Sequence, residues 1–416
     1  MDVAAFQTTF SAKNQETGDL NRLVAVQEMI QVVRANGDQA VIDYTNQFDE
    51  QAYQNAEDFK VSSERLKASW DNLDPTLQTA LEKAKDRIET YERAGLYADR
   101  PGEEISYVYN ALNSAGFYIP GGKALYPSTV LMTVVPAIVA GVENLVVTTP
   151  VFTEESVTFA ALYLCGIRDN VYAIGGAQAV AAMAYGTETI PQVDKICGPG
   201  NAYVATAKRL VNGDVSIDAI AGPSEILLYV DETIPVDAIV YDIFAQAEHD
   251  QDARTFLLCE SEDFLGKIAD RIQVLLPSQK RADIIEASVK NNHYAICDTR
   301  QQLIAVLNDI APEHVSIQHA AQDEIVDQIK YAGAVFKGYY AMEAIGDYVA
   351  GPSHVLPTGR TARFSHGLTA NDFRTSHAII NTSKATYEAI GPAGQAIAEA
   401  EGLECHARSI AIRKEG

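Results

Sequence analysis

Residues 171–211 decide the fold, and their sequence is VYAIGGAQAVAAMAYGTETIPQVDKICGPGNAYVATAKRLV. The apolar run VYAI leads through a Gly-Gly turn into a helical pattern, and VDKIC leads through GPGN into another. Strands that alternate with helices in this way predict a parallel sheet with helices on its faces. The glycines permit tight turns at the carboxyl edge of the sheet, where such sheets normally bind ligands.

The same alternation continues in both directions along the chain. Upstream, the strand pattern GFYIP precedes a helix that runs through Ala140 and the β-rich run NLVVTTP. Downstream, further strand patterns alternate with helical ones: SEILLYVD (224–231), RTFLLC (254–259), HYAIC (293–297) and HVSI (314–317). We therefore predict an α/β protein of two Rossmann-like parallel-sheet units with flanking helices, divided near residues 220–225.

The flanks of these two units are predicted to be helical. Segments 20–37 and 73–95 repeat apolar residues at helical spacing and end in glycine. The C-terminal tail is helical by its pattern, closes with the β-like run SIAIR, and is expected to pack on a partner subunit. The predicted domains are an N-terminal helical segment that packs with the second unit, the two α/β units, and the tail: 1–112, 113–222, 223–365 and 366–416.

Composition argues against several classes of partner. The 416 residues include 56 acidic and 32 basic side chains, a formal charge of −24. Such a surface repels phosphate backbones and anionic membranes, so we expect neither nucleic acid nor a membrane as partner. The longest apolar run, residues 130–142, contains Pro136 and is too short to span a bilayer.

The cysteines and the first residues indicate a cytoplasmic protein. The chain has five cysteines, none in a CxxC pair, and this odd number favours reduced thiols. The opening sequence MDVAAFQTTFSAKNQETGDL lacks the basic segment followed by an apolar one that is typical of a signal peptide. We therefore expect a cytoplasmic location.

Three strand-to-helix turns in the first unit carry glycine: GFYIPGGK, with Gly121 and Gly122, AIGGAQA and ICGPGNA. Backbone amides at such turns, together with a helix N-terminus, favour an anionic ligand, and a dinucleotide is the natural candidate. The chain lacks the fingerprint GxGxxG with a downstream acid, and any one of these glycines could simply close a tight turn. Three such turns in one unit favour the ligand.

The histidines indicate that acid-base or metal chemistry belongs to the second unit and the tail. All eight lie at or after His249. Gln246 and His249 are three residues apart on one predicted helix and therefore share a face. The adjacent Glu313 and His314 offer a carboxylate and an imidazole to one pocket. Each pair alone is more often an ordinary polar helix end or loop.

A further group of polar residues lies in the Gly/Pro-rich stretch GDYVAGPSHVLP, which contains Asp347 and His354. Together with the glutamine and histidine of the preceding helix, these side chains supply the oxygen and nitrogen ligands that suit zinc. An alternative nucleophile is Cys197, whose thiolate could attack an aldehyde. No histidine or lysine-rich surrounding is visible in the local sequence to lower the pKa of Cys197, so a buried strand-end cysteine is the favoured interpretation.

Taken together, these segments resemble the histidinol dehydrogenase family. The resemblance runs from about Gly116 to Arg408, with order and spacing that fit throughout, and is only loose over the first hundred residues. It rests on GFYIPGGKALYPSTVLM, GGAQAVAAMAYGTETIPQVDKICGPGNAYV, AGPSEILL, AQAEHDQDA, APEHVSI, GDYVAGPSHVLPTGRTARFSHGLT and EGLECHARS.

The resemblance implies a role for each matching residue. The NAD-contact positions are Tyr118, Gln178 and Asn201. The ligand positions for one zinc ion per subunit are Gln246, His249, Asp347 and His406. The substrate-contact positions are Ser224, His354 and Glu401, together with Gln246, His249, His314, Asp347 and His406. The acid-base positions are Glu313 and His314.

The implied reaction is the NAD-dependent oxidation of L-histidinol through L-histidinal to L-histidine, the last step of histidine biosynthesis. In the family, the residues at the positions of Glu401 and His406 reach the partner subunit's active site, which implies an obligate homodimer with composite sites. Two alternatives remain open: a polyol or sulfonated-diol dehydrogenase on the same fold, and a non-catalytic NAD-binding regulator.

Overall fold

Two five-stranded parallel sheets organise the computed structural model, which describes residues 20–121, 125–220, 222–296 and 299–414. The first sheet contains β2 (Ser114–Tyr118), β3 (Asn144–Thr148), β4 (Val171–Tyr172), β5 (Lys195–Cys197) and β6 (Ser216–Ile217). The second contains β7 (Glu225–Val230), β8 (Arg254–Cys259), β9 (His293–Ile296), β10 (His314–Gln318) and β11 (Ala334–Lys337).

The two sheets share one topology. Their spatial orders are β4-β3-β2-β5-β6 and β11-β10-β7-β8-β9, and every neighbouring pair is parallel. In each sheet the first strand along the chain is central and is flanked by the second and fourth, which is the Rossmann arrangement. The prediction of two Rossmann-like units with flanking helices is therefore confirmed.

Helices cover the first sheet and precede it in the chain. The helices that follow its strands are α4 (Pro127–Ala140), α5 (Val157–Leu164), α6 (Gly176–Tyr185) and α7 (Ala202–Val211). The N-terminal helices are α1 (Leu20–Phe48), α2 (Ser63–Asp71) and α3 (Pro75–Gly95), with a short 3-10 helix at Ala56–Phe59. The left-handed Gly37, with φ 55°, interrupts α1 where the sequence predicts a helix end, and a second helical segment continues beyond it.

The N-terminal helices pack mainly on the first α/β unit. This differs from the prediction, which placed them against residues 223–365. Helix α1 contacts α6 and α7, α2 contacts α5, and α3 contacts α4. Helix α3 additionally reaches residues 349–350, because the Arg87 guanidinium donates hydrogen bonds to both carbonyl groups. The described residues of 20–95 and 112–373 form one compact unit.

The second sheet carries the helices α8 (Val236–Ala247), α9 (Glu262–Leu275), α10 (Ala282–Val289), α11 (Arg300–Ile310), α12 (Gln322–Val326) and α13 (Glu343–Tyr348). Short 3-10 helices lie at Leu276–Ser278, Thr361–Arg363 and Ala370–Phe373. All six residues of β7 are buried, as expected for a parallel strand covered on both faces. Leu227 and Tyr229 belong to one core, and Ile226 and Leu228 to the other. Among the described helices, none is both long and apolar enough to cross a bilayer.

Residues 96–111 and 374–414 form a second compact unit. Strand β1 (Ile105–Ala111) pairs with β12 (Arg374–Ile380) in an antiparallel ribbon, followed by α14 (Lys384–Ala400), α15 (Glu404–Ala411) and a 3-10 turn at Ile412–Lys414. The prediction of a β-like end at SIAIR was wrong, because this run is helical and α15 packs against α14. The tail is otherwise mainly helical, as predicted, with β12 as the strand that the pattern missed.

A buried glutamate on α3 makes stability depend on pH. Burial raises the pKa of Glu92 from its usual 4.5 to about 7, although the Ala370 amide donates a hydrogen bond to one carboxylate oxygen. The folded state therefore binds the proton more tightly than the unfolded chain does. The stability that this group contributes is complete below about pH 4.5 and is lost as the pH rises through about 7.

We expect Glu92→Gln to stabilise the protein progressively as the pH rises from 5 to 8, by at most about 3 kcal/mol. Urea unfolding of both proteins at the two pH values measures the difference. Glu89→Gln, on the same helix, is the control, because hydrogen bonds from Arg93 lower the pKa of Glu89. A stability difference at Glu92 that does not change with pH would contradict the assignment.

Candidate active site

Glu313 and His314 are oriented by the main chain of one neighbouring residue, Glu225. Strand β10 begins at His314, beside β7, which begins at Glu225. The Glu225 amide donates a hydrogen bond to Glu313 Oε2 at 2.8 Å, and His314 Nδ1 lies 3.0 Å from the Glu225 carbonyl oxygen. Because a carbonyl only accepts hydrogen bonds, Nδ1 carries the imidazole proton and Nε2 is left as an acceptor. His314 Nε2 is buried and has no hydrogen-bond partner among the residues that the structure describes.

The electrostatics of the pair suit proton transfer. Burial lowers the pKa of His314 from 6.5 to about 4, against the opposing charge of Asp347, so the imidazole is neutral at pH 7. Burial raises the pKa of Glu313 well above its usual 4.5, and the Glu225 amide partly opposes this. A neutral imidazole can accept a proton directly, and a carboxylate with a raised pKa is a stronger base than an ordinary one.

A cluster of possible metal ligands lies beside His314. The ligand atoms of His249, Glu343 and Asp347 all lie within 4.8 Å of one another, and His314 Nε2 is 4.0 Å from Asp347 Oδ1. Gln246 is fully buried in the last turn of α8, and within the described part of the chain neither its amide oxygen nor its nitrogen has a hydrogen-bond partner. A buried amide without partners is costly unless a bound group completes it. This set of oxygen and nitrogen donors fits zinc.

Glu343 is a member of this cluster that our sequence analysis missed. It lies four residues before Asp347 on α13, so the two carboxylates share one face of the helix. Both Glu343 carboxylate oxygens are buried and accept no hydrogen bond from any described residue, and one lies 3.7 Å from His314 Nδ1. The spacing E-x-x-x-D in MEAIGD was the available signal, but a short polar segment gave no reason to place it on a helix.

His354 lies against the same cluster, as the sequence suggested. Its Nδ1 is 3.1 Å from the Asp347 carbonyl oxygen, and its Nε2 is 3.4 Å from the Thr129 hydroxyl. Burial lowers the pKa of His354, which keeps the ring neutral. Ser224 directly precedes β7 and is half-buried, and its carbonyl accepts the Arg254 amide.

The three candidate NAD-contact residues follow strands of the first sheet. Tyr118 ends β2, and its hydroxyl accepts the Gly176 amide at 3.3 Å. Gln178 is buried in the first turn of α6, and its side-chain nitrogen has no partner. Asn201 caps α7 by accepting the amides of residues 203 and 204. Gly122 of the remaining glycine turn lies outside the described residues.

Two predicted site residues belong to the second compact unit. Glu401 directly follows α14 as its cap residue, and His406 lies in α15; both side chains are exposed. Their roles toward metal and substrate stay predictions. The thiol of Cys197, by contrast, is fully buried at the end of β5, and burial raises its pKa well above the usual 9.0. This disfavours the thiolate and supports the interpretation of Cys197 as a packed core residue.

Comparisons with known proteins agree with this geometry. The family model described as histidinol dehydrogenase matches residues 12–414. The histidinol dehydrogenase of Staphylococcus saprophyticus is 45% identical over 413 residues, covering 98% of this chain and 97% of that protein. That of Staphylococcus aureus strain COL is 47% identical over 395 residues, covering 94% of each.

Solved structures show the same fold. The crystal structure of histidinol dehydrogenase from Elizabethkingia anophelis superimposes with a TM-score of 0.90 at 32% identity, covering 96% of this chain and 93% of that one. An acetylating aldehyde dehydrogenase from Geobacillus thermoglucosidasius reaches a TM-score of 0.50 at 12% identity, covering 92% and 96%, which is a likeness of fold alone. The family match extends over nearly the whole sequence and includes every candidate site residue, so this chain belongs to the histidinol dehydrogenase family.

Proposed function

We propose that this chain oxidises L-histidinol through L-histidinal to L-histidine, a four-electron reaction that uses two NAD and is the last step of histidine biosynthesis. Its similar relatives are named for this substrate. The observation that carries the proposal is the buried, unpartnered Nε2 of His314, which faces a donor cluster that includes Asp347. This combination supplies a proton acceptor beside a site for a nitrogen-rich substrate.

Each cofactor has a matching set of residues. One zinc ion per subunit would be held by Gln246, His249 and Asp347, with His406 of a second copy of the chain as the fourth ligand. NAD would be held by Tyr118, Gln178 and Asn201. When bound, NAD accepts the hydride, and zinc supplies the positive charge that orients the nitrogen atoms of the substrate.

The first oxidation uses His314 as the base. Its Nε2 takes the proton from the substrate hydroxyl as the hydride leaves the carbon. The Glu225 carbonyl holds the Nδ1 proton throughout, and the nearby Asp347 carboxylate stabilises the imidazolium that forms. Because these groups are positioned before the reaction, little reorganisation is needed when charge develops.

The second oxidation requires water. Glu313 takes a proton from a water molecule that adds to the aldehyde carbon, and the protonated His314 returns its proton to the aldehyde oxygen, so that the hydrated aldehyde forms. His314 then removes a hydroxyl proton again as the second hydride leaves. Ser224, His354 and Glu401 are proposed to contact the substrate, so that the labile aldehyde stays bound between the two steps.

The active form is proposed to be a homodimer in which Glu401 and His406 serve the site of the other copy. The second compact unit supports this, because its two-stranded ribbon would be only marginally stable alone and exposes large apolar side chains. Ile105 and Ile380 are 66% and 72% exposed, and Ile397 on α14 is 60% exposed. Such a surface is typical of a subunit interface.

A cytoplasmic location, without nucleic acid or membrane partners, is part of the proposal. Four cysteines within the described residues are free thiols, as expected in a reducing compartment, and the formal charge of −24 disfavours anionic partners. The domain roles are proposed as 1–112 for the helical scaffold, 113–222 for NAD, 223–365 for catalysis and zinc, and 366–416 for dimerisation.

One experiment tests the reaction against its alternatives. Purified protein is mixed with NAD and L-histidinol, and the NADH formed is compared with the histidinol consumed. We expect two NADH for each histidinol. Turnover of simple diols in place of histidinol would support a polyol dehydrogenase, and NAD binding without any turnover would support a regulator. Nitrogen donors around the cluster favour the first outcome.

Removing one ligand should weaken zinc binding. We expect His249→Asn to retain zinc at least about 10-fold more weakly than the wild type, because the asparagine cannot replace the imidazole nitrogen. Zinc content after dialysis against graded chelator concentrations measures this. His366→Asn is the control, since His366 is an exposed histidine of the same compact unit. Equal zinc retention by all three proteins would show that the ligand set is wrong.

A further inference from the structure

Lys208 and Asp218 form an ion pair that is almost completely removed from solvent. Lys208 lies in the last turn of α7, and Asp218 follows β6. Their side chains are only 3% and 2% exposed. A buried ion pair often contributes less stability than well-packed apolar side chains would. Its presence in the first unit therefore indicates a role in fixing a particular conformation.

Both members of the pair hold the main chain of one residue, Gly198. Lys208 Nζ donates a hydrogen bond to the Gly198 carbonyl oxygen at 2.9 Å. Asp218 Oδ2 accepts the Gly198 amide at 2.7 Å, while its other oxygen accepts the Ala219 amide at 2.7 Å. The two polar main-chain groups of Gly198 are thus bound by the two opposite charges of one ion pair.

Gly198 opens the GPGN turn of the proposed NAD site. Its φ is +116°, and a Cβ placed there would lie 2.0 Å from the Tyr118 carbonyl oxygen, so the turn packs directly against the end of β2. At the other end of the turn, Asn201 caps α7. The position of Gly198 therefore determines how Tyr118 and Asn201, two proposed NAD contacts, are placed relative to each other.

We propose that Lys208 and Asp218 are positioning residues for the cofactor turn. Their ion pair holds Gly198 so that Tyr118 and Asn201 keep the arrangement in which they contact the dinucleotide. Because both charged side chains are buried, they act through Gly198. This inference rests on the proposed function, since it assumes that the first sheet binds NAD.

The test uses variants of the full-length protein. The double variant K208M/D218N removes both charges of the pair together, so that neither is left without the other. Its asparagine can still accept the Gly198 amide, whereas methionine cannot donate to the carbonyl. Lys208→Arg retains charge and donors. The matched control is Lys195→Met, which removes a buried lysine of β5 whose ammonium donates to the Ile217 carbonyl instead. NADH affinity is measured by fluorescence titration, and kcat and KM by NADH formation.

We expect K208M/D218N to raise the NADH dissociation constant and the KM for NAD by about 10- to 100-fold, the scale of a misplaced contact group. The kcat and the KM for histidinol of the double variant should stay unchanged. Lys208→Arg should keep most of the wild-type affinity for NADH, and Lys195→Met should match the wild type. Unchanged NADH affinity in the double variant, or an equal loss in Lys195→Met, would overturn the positioning role. Failure of the wild type itself to bind NADH would instead reject the proposed NAD site.

Discussion

His314→Asn is expected to lower kcat for the oxidation of L-histidinol by about 10²–10⁴-fold, because it removes the general base of both steps. Asparagine is close in size to histidine and can donate to the Glu225 carbonyl through its amide, as His314 Nδ1 does. It has no group that can accept a proton near neutral pH. The loss should therefore be in chemistry, with NADH affinity and zinc content retained.

A second histidine, directly after the same strand, provides the control. His319 directly follows β10 at its opposite end, where its Nδ1 accepts the Ala321 amide. His319→Asn removes a buried histidine of the same sheet without touching the active site. Steady-state NADH formation at saturating NAD and histidinol compares the two variants. If both lost activity equally, or if His314→Asn stayed within a few-fold of the wild type, another group would have to be the base.

The functional edges of the two sheets are opposite, which a sequence alone would not reveal. In the first sheet the proposed ligand contacts lie at the carboxyl ends of the strands, as Tyr118 does at the last position of β2. In the second sheet Glu225 and His314 begin β7 and β10, at the amino edge. The carboxyl edge there is closed by its own loops, because Asp231 accepts the amides of residues 233 and 320. Under the proposed assignment of sites, the usual rule of carboxyl-edge binding holds for the first unit and not for the second.

How well the sequence predicts an element follows from its burial. The strand β7 is apolar after its first residue, Glu225, and is buried on both faces, so its sequence identifies it. The edge strands β6 and β11 are short and partly exposed, and β12 is exposed along nearly its whole length, so none has a clear pattern. The run SIAIR has β-branched residues, but packing against α14 overrides that preference.

The same limit applies to the candidate site. Glu313, His314 and the proposed metal ligands could be named because the motifs that contain them are visible in the sequence and resemble those of the histidinol dehydrogenase family. The contacts of Glu225 with Glu313 and His314 could not be predicted, since they use a main-chain amide and carbonyl that any residue would offer. Glu343 could not be recognised either, because its importance depends on the burial of its carboxylate without a hydrogen bond from any described residue.

Glu313→Gln is expected to separate the two oxidations. We expect the conversion of L-histidinal to L-histidine to fall by about 10²-fold or more, since glutamine cannot take a proton from water. The conversion of histidinol to histidinal should change little, because His314 carries out that proton transfer alone. Glutamine can still accept the Glu225 amide through its side-chain oxygen, so the bond at 2.8 Å is replaced and the site keeps its shape.

Single-turnover NADH formation measures the two steps separately, with histidinol and histidinal each supplied as the starting substrate. Glu92→Gln is the matched control, because Glu92 is also a buried glutamate whose pKa is raised, and its carboxylate accepts the Ala370 amide and no hydrogen bond from Glu225. Equal loss in both oxidations would mean that Glu313 serves His314 and does not activate water. A selective loss of the second oxidation would assign water activation to Glu313 and leave the hydroxyl protons of both oxidations to His314. Burial shifts the pKa values of these two adjacent groups in opposite directions, which permits this division.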